Sequence, residues 1–244
     1  MQEFGLKIAG TVAQITCSFD STPYYLGQYR TDERADFSVM ISADDLERER
    51  YFRDAEALEE GMKLRKVTEP FLERLAIQRK FAEATMERNI LMVHGSAVAV
   101  DGIGYVFTAA CGTGKSTHTR LWRQVFGDRA VMINDDKPFV SLTDEGVFVC
   151  GSPWSGKHGL DSNISVPLGG ICLLERGVEN RISPLERDRV PEMVNRLRWY
   201  MEPERIPTFD QLAQKLSDRI PFWHLQCNMD PDAARISYET MSRR

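Results

Sequence analysis

The stretch that decides the fold is Gly104-Tyr105-Val106-Phe107-Thr108, followed at once by Ala109-Ala110-Cys111-Gly112-Thr113-Gly114-Lys115-Ser116-Thr117. A β-prone run ends in a loop of small residues, and a helix then continues through Phe126. In such a strand–loop–helix the glycines let successive backbone N–H groups turn inward, and the helix start adds its positive dipole end. Lys115 then reaches the β- and γ-phosphates of a nucleotide, and the Ser116 hydroxyl ligates Mg²⁺. Gly112, Thr113, Gly114, Lys115, Ser116 and Thr117 are therefore the candidate cofactor-binding residues, for ATP with Mg²⁺. The pattern G-x-x-x-x-G-K-[ST] is met except at its first glycine, where Ala109 stands. A methyl group fits there as long as the backbone keeps a negative φ.

Upstream, Ile90 to Val100 is apolar and β-prone, broken only by His94-Gly95. Asp101-Gly102 is a two-residue hairpin signal. The hairpin puts His94 on the strand beside the one that feeds the loop. A histidine in an apolar strand is ordinarily a packed residue; this neighbour makes His94 a catalytic candidate. Downstream, Ala130 to Ile133 is a third strand, ending in Asn134-Asp135-Asp136. A phosphate loop needs a carboxylate at the tip of a neighbouring strand for the metal or its water. In a regular strand only one of two consecutive side chains faces the phosphates, whereas a tight bend after Asn134 delivers both.

Phe139 to Leu142 and Val147 to Cys150 read as a hairpin, Ile171 to Leu174 and Phe222 to Cys227 as strands. Helices are expected over Asp188 to Met201, over Phe209 to Asp218 and from Pro231 onward. Hairpins mixed with strand–helix units indicate an α/β fold with a mixed sheet. The loop from Gly151 to Asn163 offers Lys157, His158 and Asn163 to an anion or substrate, with Lys157 first among them. Arg176 either neutralises phosphate charge or pairs with Glu175 or Glu179.

Residues 1–87 hold no defensible chemical constellation and read as an α+β supporting or substrate-selecting region, with residues 88–244 as the catalytic domain. Short strands fall at Phe4 to Val12 and Phe37 to Ile41, around a turn-rich segment from Ser18 to Arg34. Asp44 to Met62 is dense in charge and reads as an exposed helix or loop. Pro70 to Arg88 carries Phe71, Leu75, Ala82 and Met86 at helical spacing.

A net charge of −5 over 244 residues excludes a broad basic field, and so a nucleic-acid partner. The local cluster Lys63, Arg65, Lys66 lies among carboxylates and reads as a solvated face. Five widely spaced cysteines without a C-x-x-C pair fit neither a disulfide framework nor a zinc ribbon, and point to a reducing compartment. With no signal-like N-terminus and no apolar run of bilayer length, a soluble cytoplasmic protein is expected.

Val93-His94-Gly95, the hairpin, Gly112-x-Gly114-Lys115-Ser116 and Asp135-Asp136 together resemble the catalytic domain of HPr kinase/phosphorylase. They also resemble the nucleotide-binding half of phosphoenolpyruvate carboxykinase, which shares that core. The resemblance covers residues 90–182, and the stretches Ser116 to Trp122, Asn134 to Pro138 and Pro153 to Lys157 look like smaller HPr-kinase-like proteins. It implies a mixed-sheet P-loop fold and in-line phosphoryl transfer from ATP to a hydroxyl. It implies Asp135 as general base, Asp136 with Ser116 at the metal, and His94 near the reacting phosphate. Lys115 neutralises charge, and Lys157 holds the acceptor or the transferring group. A homo-oligomer is also implied. Residues 1–87 do not resemble the HPr kinase N-terminal domain, so the acceptor stays open between a protein or peptide serine and a small alcohol. The alternatives are a carboxykinase-like enzyme and a nucleotide-binding regulatory module without turnover.

Overall fold

The computed structural model describes every residue except Glu60, Met62, Arg65 and Arg244. The chain opens with a hairpin of β1 (Gln2–Ile8) and β2 (Thr11–Cys17), not with one strand to Val12. The alternation of apolar residues runs through both strands, and the turn between them lacks an Asn-Gly or Asp-Gly signature. Ala9 and Gly10 make it with φ of 51° and 76°, the two positive values that a primed hairpin turn requires. The segment expected as turns holds α1 (Ser21–Tyr25) and β3 (Arg30–Thr31), and β4 (Phe37–Met40) follows. These strands form a sheet in the order β3-β1-β2-β4.

Two helices follow, α2 (Ala43–Glu59) and α3 (Glu69–Met86). The expected end of the first at Met62, and Arg65 of the basic cluster, lie outside the described residues; Lys63 and Lys66 are exposed. Helix α2 is not simply an exposed charged helix. Its Asp45 and Glu49 are buried against Arg79 of α3, itself 4% exposed. Arg79 holds Glu49 at 2.5 Å, Asp45 at 3.2 Å and Glu83 at 3.4 Å, and Lys80 adds a contact to Asp45 at 2.6 Å. A buried ion cluster contributes little net stability against apolar packing, but losing its central cation strands several carboxylates in low dielectric.

The remaining elements are β5 (Ile90–Met92), β6 (Ser96–Val100), β7 (Ile103–Thr108), α4 (Lys115–Phe126), β8 (Ala130–Asn134), β9 (Phe139–Leu142) and β10 (Val147–Cys150). After them come β11 (Ser165–Arg176), β12 (Arg181–Pro184), α5 (Val190–Leu197), α6 (Ile206–Ser217), β13 (Phe222–Cys227) and α7 (Asp232–Met241). Among the described residues nine strands form one mixed sheet, with the path β5-β9-β10-β11-β7-β6-β8 and with β13 and β12 added beyond β11. The β6–β7 turn is the expected one, with Asp101 and Gly102 at φ 52° and 81°. Strand β11 is far longer than the expected Ile171 to Leu174. Its first residues pair with β10, and its later ones run parallel between β7 and β13. Strands buried on both faces read as unbroken apolar runs, which is why only its centre stood out.

This parallel trio of β7, β11 and β13 carries its C-terminal ends to one rim, where the glycine loop begins. On one face α4 and α7 cover it, with Trp122 packed on Phe107 at 5.2 Å and on Tyr238 at 5.6 Å. On the other face Phe81 of α3 meets Phe139 and Trp154, so the hydrophobic core runs unbroken across residues 87 and 88. Helix α5 is shorter than expected because Arg198 turns extended (φ −69°, ψ 136°), and residues 198–201 leave the helix. No helix among the described residues is long and apolar enough to cross a membrane.

Arg79→Ala is expected to lower unfolding free energy by about 3–5 kcal/mol, read from urea denaturation. Lys7→Ala, which removes the exposed pair with Glu33, should leave the midpoint nearly unchanged.

Candidate active site

Helix α4 begins at Lys115 with no side-chain cap, so the N–H groups of its first turn are left for a ligand. Gly112 and Gly114 stand at φ 71° and 124°, conformations that a side chain would strain. Ala109 is not among the positive-φ residues and is 2% exposed, so the missing first glycine costs the loop no strain. The Lys115 ammonium donates to the Ala109 carbonyl at 3.2 Å. Arg176, at the end of β11, donates to the Gly112 carbonyl at 2.7 Å and braces the loop from the side. The expected glutamate partners are paired elsewhere, Glu175 with Arg189 and His224 and Glu179 with Arg181.

Beside the loop lies an open cleft of about 620 Å³, lined by Lys115, Ser116, Thr117, Arg120, Arg123, Asp135, Lys157 and His158. Four permanent cations face one carboxylate there, a field that concentrates polyanions. Arg120 and Arg123 escaped the sequence reading. Their spacing from Ser116, four and seven residues on, puts all three on one helical face and was the available signal.

The acidic pair is divided by Asn134, which is fully buried. Its Oδ1 accepts from the N–H groups of Asp136 at 2.8 Å and Lys137 at 2.7 Å, the geometry of an Asx turn. Its Nδ2 donates to Ser152, at 2.8 Å to the carbonyl and 3.1 Å to the hydroxyl. The bend after Asn134 exists, but it sends the two carboxylates to different cavities. Asp135 lines the cleft beside the glycine loop. Its Oδ1 accepts from the Gly156 N–H at 2.5 Å, while its Oδ2 is buried with no partner among the described residues. Burial raises its carboxyl above the ordinary range against the opposing Gly156 bond.

Asp136 lines a second cavity, with Lys137 at 3.0 Å and His94 Nε2 at 3.5 Å. Burial works against its ionised form, but the Lys137 and Lys115 ammonium groups hold its carboxyl below the usual range. His94 is pushed down to about 3 by burial and by Lys137 and Lys115, so its ring is neutral near pH 7. Its backbone is fixed on both sides, N–H to the Leu197 carbonyl at 2.7 Å and carbonyl to the Thr108 hydroxyl at 2.9 Å. Lys137 is the residue the sequence reading missed here, although it directly follows the pair.

Of the loop candidates, Lys157 and His158 reach the cleft, whereas Asn163 donates to the Gln28 carbonyl at 2.7 Å and fastens the N-terminal region. No group of three or more His, Cys, Asp or Glu side chains among the described residues is arranged to hold a metal. Mg²⁺ does not require one, since it keeps waters and takes one or two protein oxygens beside substrate phosphates. The orphaned Asp135 Oδ2 and the Ser116 hydroxyl, on one cleft, fit that need.

On the other flank of the loop is a cavity of about 450 Å³, lined by Thr113, His118, Leu121, Leu174, Cys227 and Asn228 among others. His118 is buried, and burial pushes it down to about 3, so it is neutral. Trp122 Nε1 donates within 3.0 Å of both His118 Nε2 and Ser237 Oγ. His118 Nδ1 has no partner among the described residues.

No family model matches the sequence, and no curated protein matches it. Among solved structures, the HPr(Ser) kinase/phosphatase from Coxiella burnetii is similar at 10% identity and a TM-score of 0.37, over 62% of this chain and 88% of that one. A likeness at that level adds nothing to the reading of the site, which rests on its own geometry.

Two outcomes follow from this geometry. Tripolyphosphate should raise the melting temperature of the protein at constant ionic strength, and Arg120→Ala with Arg123→Ala should remove most of that rise. Asn134→Ala should cost about 2–4 kcal/mol in chemical denaturation, because it leaves buried N–H and C=O groups unpaired.

Proposed function

We propose that this chain is an ATP-dependent phosphotransferase that moves the γ-phosphate to a hydroxyl group, with Mg²⁺ as its metal. The observation that carries the reading is the buried, unpartnered Oδ2 of Asp135 in the same cleft as the uncapped start of α4. A helix start alone binds anions of many kinds. A desolvated carboxylate across from it favours a ligand that brings its own cation.

In this reading the amides from Gly112 to Thr117 and the Lys115 ammonium hold the phosphates, and the cavity beyond the loop takes the nucleoside. When bound, Mg²⁺ neutralises charge on the β- and γ-phosphates, held by Ser116 and Asp135. Arg120, Arg123 and Lys157 add positive potential where negative charge accumulates during transfer. The sequence reading gave acceptor activation to Asp135 and the metal to Asp136. Asp135 lines the phosphate cleft and Asp136 does not, so we assign the two roles the other way round. The acceptor oxygen bonds to the γ-phosphorus as the bond to the β–γ bridging oxygen breaks. ADP leaves with that electron pair, and the hydroxyl proton passes to Asp136. Neutral His94, with Nε2 3.5 Å from Asp136, adds no competing positive charge there.

Calorimetry with Mg·ATP tests the reading. Lys115→Ala should weaken binding by about 100-fold, or ~2.8 kcal/mol. Asp135→Asn should abolish the magnesium dependence, and Asp136→Asn should bind normally but fail to consume ATP with an acceptor. Wild-type protein that shows no magnesium-dependent nucleotide binding would contradict the reading outright.

A further inference from the structure

The cavity on the Asp136 side has a character opposite to that of the phosphate cleft. It encloses about 300 Å³, the lower end of the range for small-molecule sites. Its walls are aromatic: Tyr25 of α1, Phe52 of α2, Phe71 of α3, then Trp154, Trp199 and Tyr200 from later segments. Phe52 and Tyr200 lie 4.9 Å apart at their centroids. Tyr25 and Phe71 are 41% and 37% exposed.

The charges that line it are already matched. Arg79 is satisfied by Glu49 and its neighbours, Arg53 by Asp54 at 2.6 Å, and Lys137 by Asp136 at 3.0 Å. Arg74 is not a lining residue, but its guanidinium sits over the Tyr25 ring at 4.2 Å and the Phe71 ring at 5.8 Å, so its charge is directed at the aromatic walls. The lining residues themselves offer a phosphate no unpaired cation. Fixed aromatic walls reward an uncharged, flat or bulky apolar body. The polar part of the lining, Asp136 and Lys137, is continuous with His94 and hence with the neighbourhood of Lys115. An apolar body lodged between the rings would present a terminal hydroxyl to Asp136.

We propose that this cavity is the acceptor site, and that the acceptor is an alcohol or phenol on an aromatic or bulky apolar body. The assignment rests on the phosphotransferase reading for the word acceptor, but the ligand class is read from the cavity alone. It separates this protein from kinases of sugars or other fully polar alcohols. It also gives the N-terminal region a function, since α1, α2 and α3 supply three of the six rings.

The test uses the full-length protein and two kinds of probe. The first is 2-phenylethanol against glycerol. The second is acetyl-Phe-Ser-amide against acetyl-Gly-Ser-amide, which distinguishes a free small molecule from a residue within a peptide. Binding is followed by intrinsic fluorescence, because Trp154 and Trp199 line the cavity, and turnover by ADP release with Mg·ATP. Phe52→Ala is the variant: Phe52 is only half-buried, and it lines this cavity but neither cavity beside the glycine loop. The aromatic probe of at least one pair is expected to bind and to be phosphorylated at least tenfold better than its polar partner. Phe52→Ala should erase that preference while Mg·ATP affinity stays unchanged. Equal treatment of aromatic and polar probes, or an aromatic preference that survives Phe52→Ala, would overturn the proposal. Fluorescence-detected binding without ATP consumption would keep the ligand class and remove the phosphotransferase reading.

Discussion

The side chain of Asn134 is the constraint on which the site depends. Fully buried, it receives the N–H groups of Asp136 and Lys137 and donates to Ser152. Every hydrogen-bonding site it offers the backbone is used in turning the chain at the tip of β8. Without that turn the strand would continue its pleat, and the residues after it would drift away from the glycine loop. With it, consecutive carboxylates reach two compartments. Asp135 faces the cleft beside the glycine loop, anchored by the Gly156 N–H, and Asp136 faces the aromatic cavity, beside Lys137 and His94.

The two compartments divide the chemistry between them. Parallel pairing of β7, β11 and β13 brings the loop, Arg176 and the residues after Cys227 to one rim of the sheet. There the uncapped helix start and four cations make a polar, open cleft suited to a polyanion. The cavity on the other side of Asp135-Asp136 has self-neutralised walls and six rings. In the proposed reaction the phosphoryl group passes from the cleft that Lys115 lines to the cavity that Asp136 and Lys137 line, with His94 beside Asp136. Keeping the acceptor side low in net charge while the donor side is strongly positive is physically coherent. The transferring group carries negative charge, and the acceptor hydroxyl does not.

How much of this was legible in the sequence depended on how local each feature was. The glycine loop, the Asp101-Gly102 hairpin and the acidic pair are written in contiguous residues, and the elements around them fall where expected. The Ala9-Gly10 turn was not legible, because apolar alternation continues through both strands it joins. The buried face of α2 was hidden for a different reason. It is built from Asp45 and Glu49, whose burial depends on Arg79 thirty or more residues later, so no hydrophobic period announces it. Separation of Asp135 from Asp136 depends on Ser152, in a distant loop. The aromatic cavity is assembled from residues between Tyr25 and Tyr200, and pattern reading within any window sees only ordinary core rings.

The most direct measurement is a crystal structure of the protein with Mg²⁺ and a non-hydrolysable ATP analogue. The β- and γ-phosphates should lie on the amides of Gly112 to Thr117, with the metal between Ser116 and Asp135, directly or through water. Asp136 should face the γ-phosphate from the aromatic side. A nucleotide bound away from this loop, or one whose metal is held by Asp136 with Asp135 turned away, would contradict this arrangement.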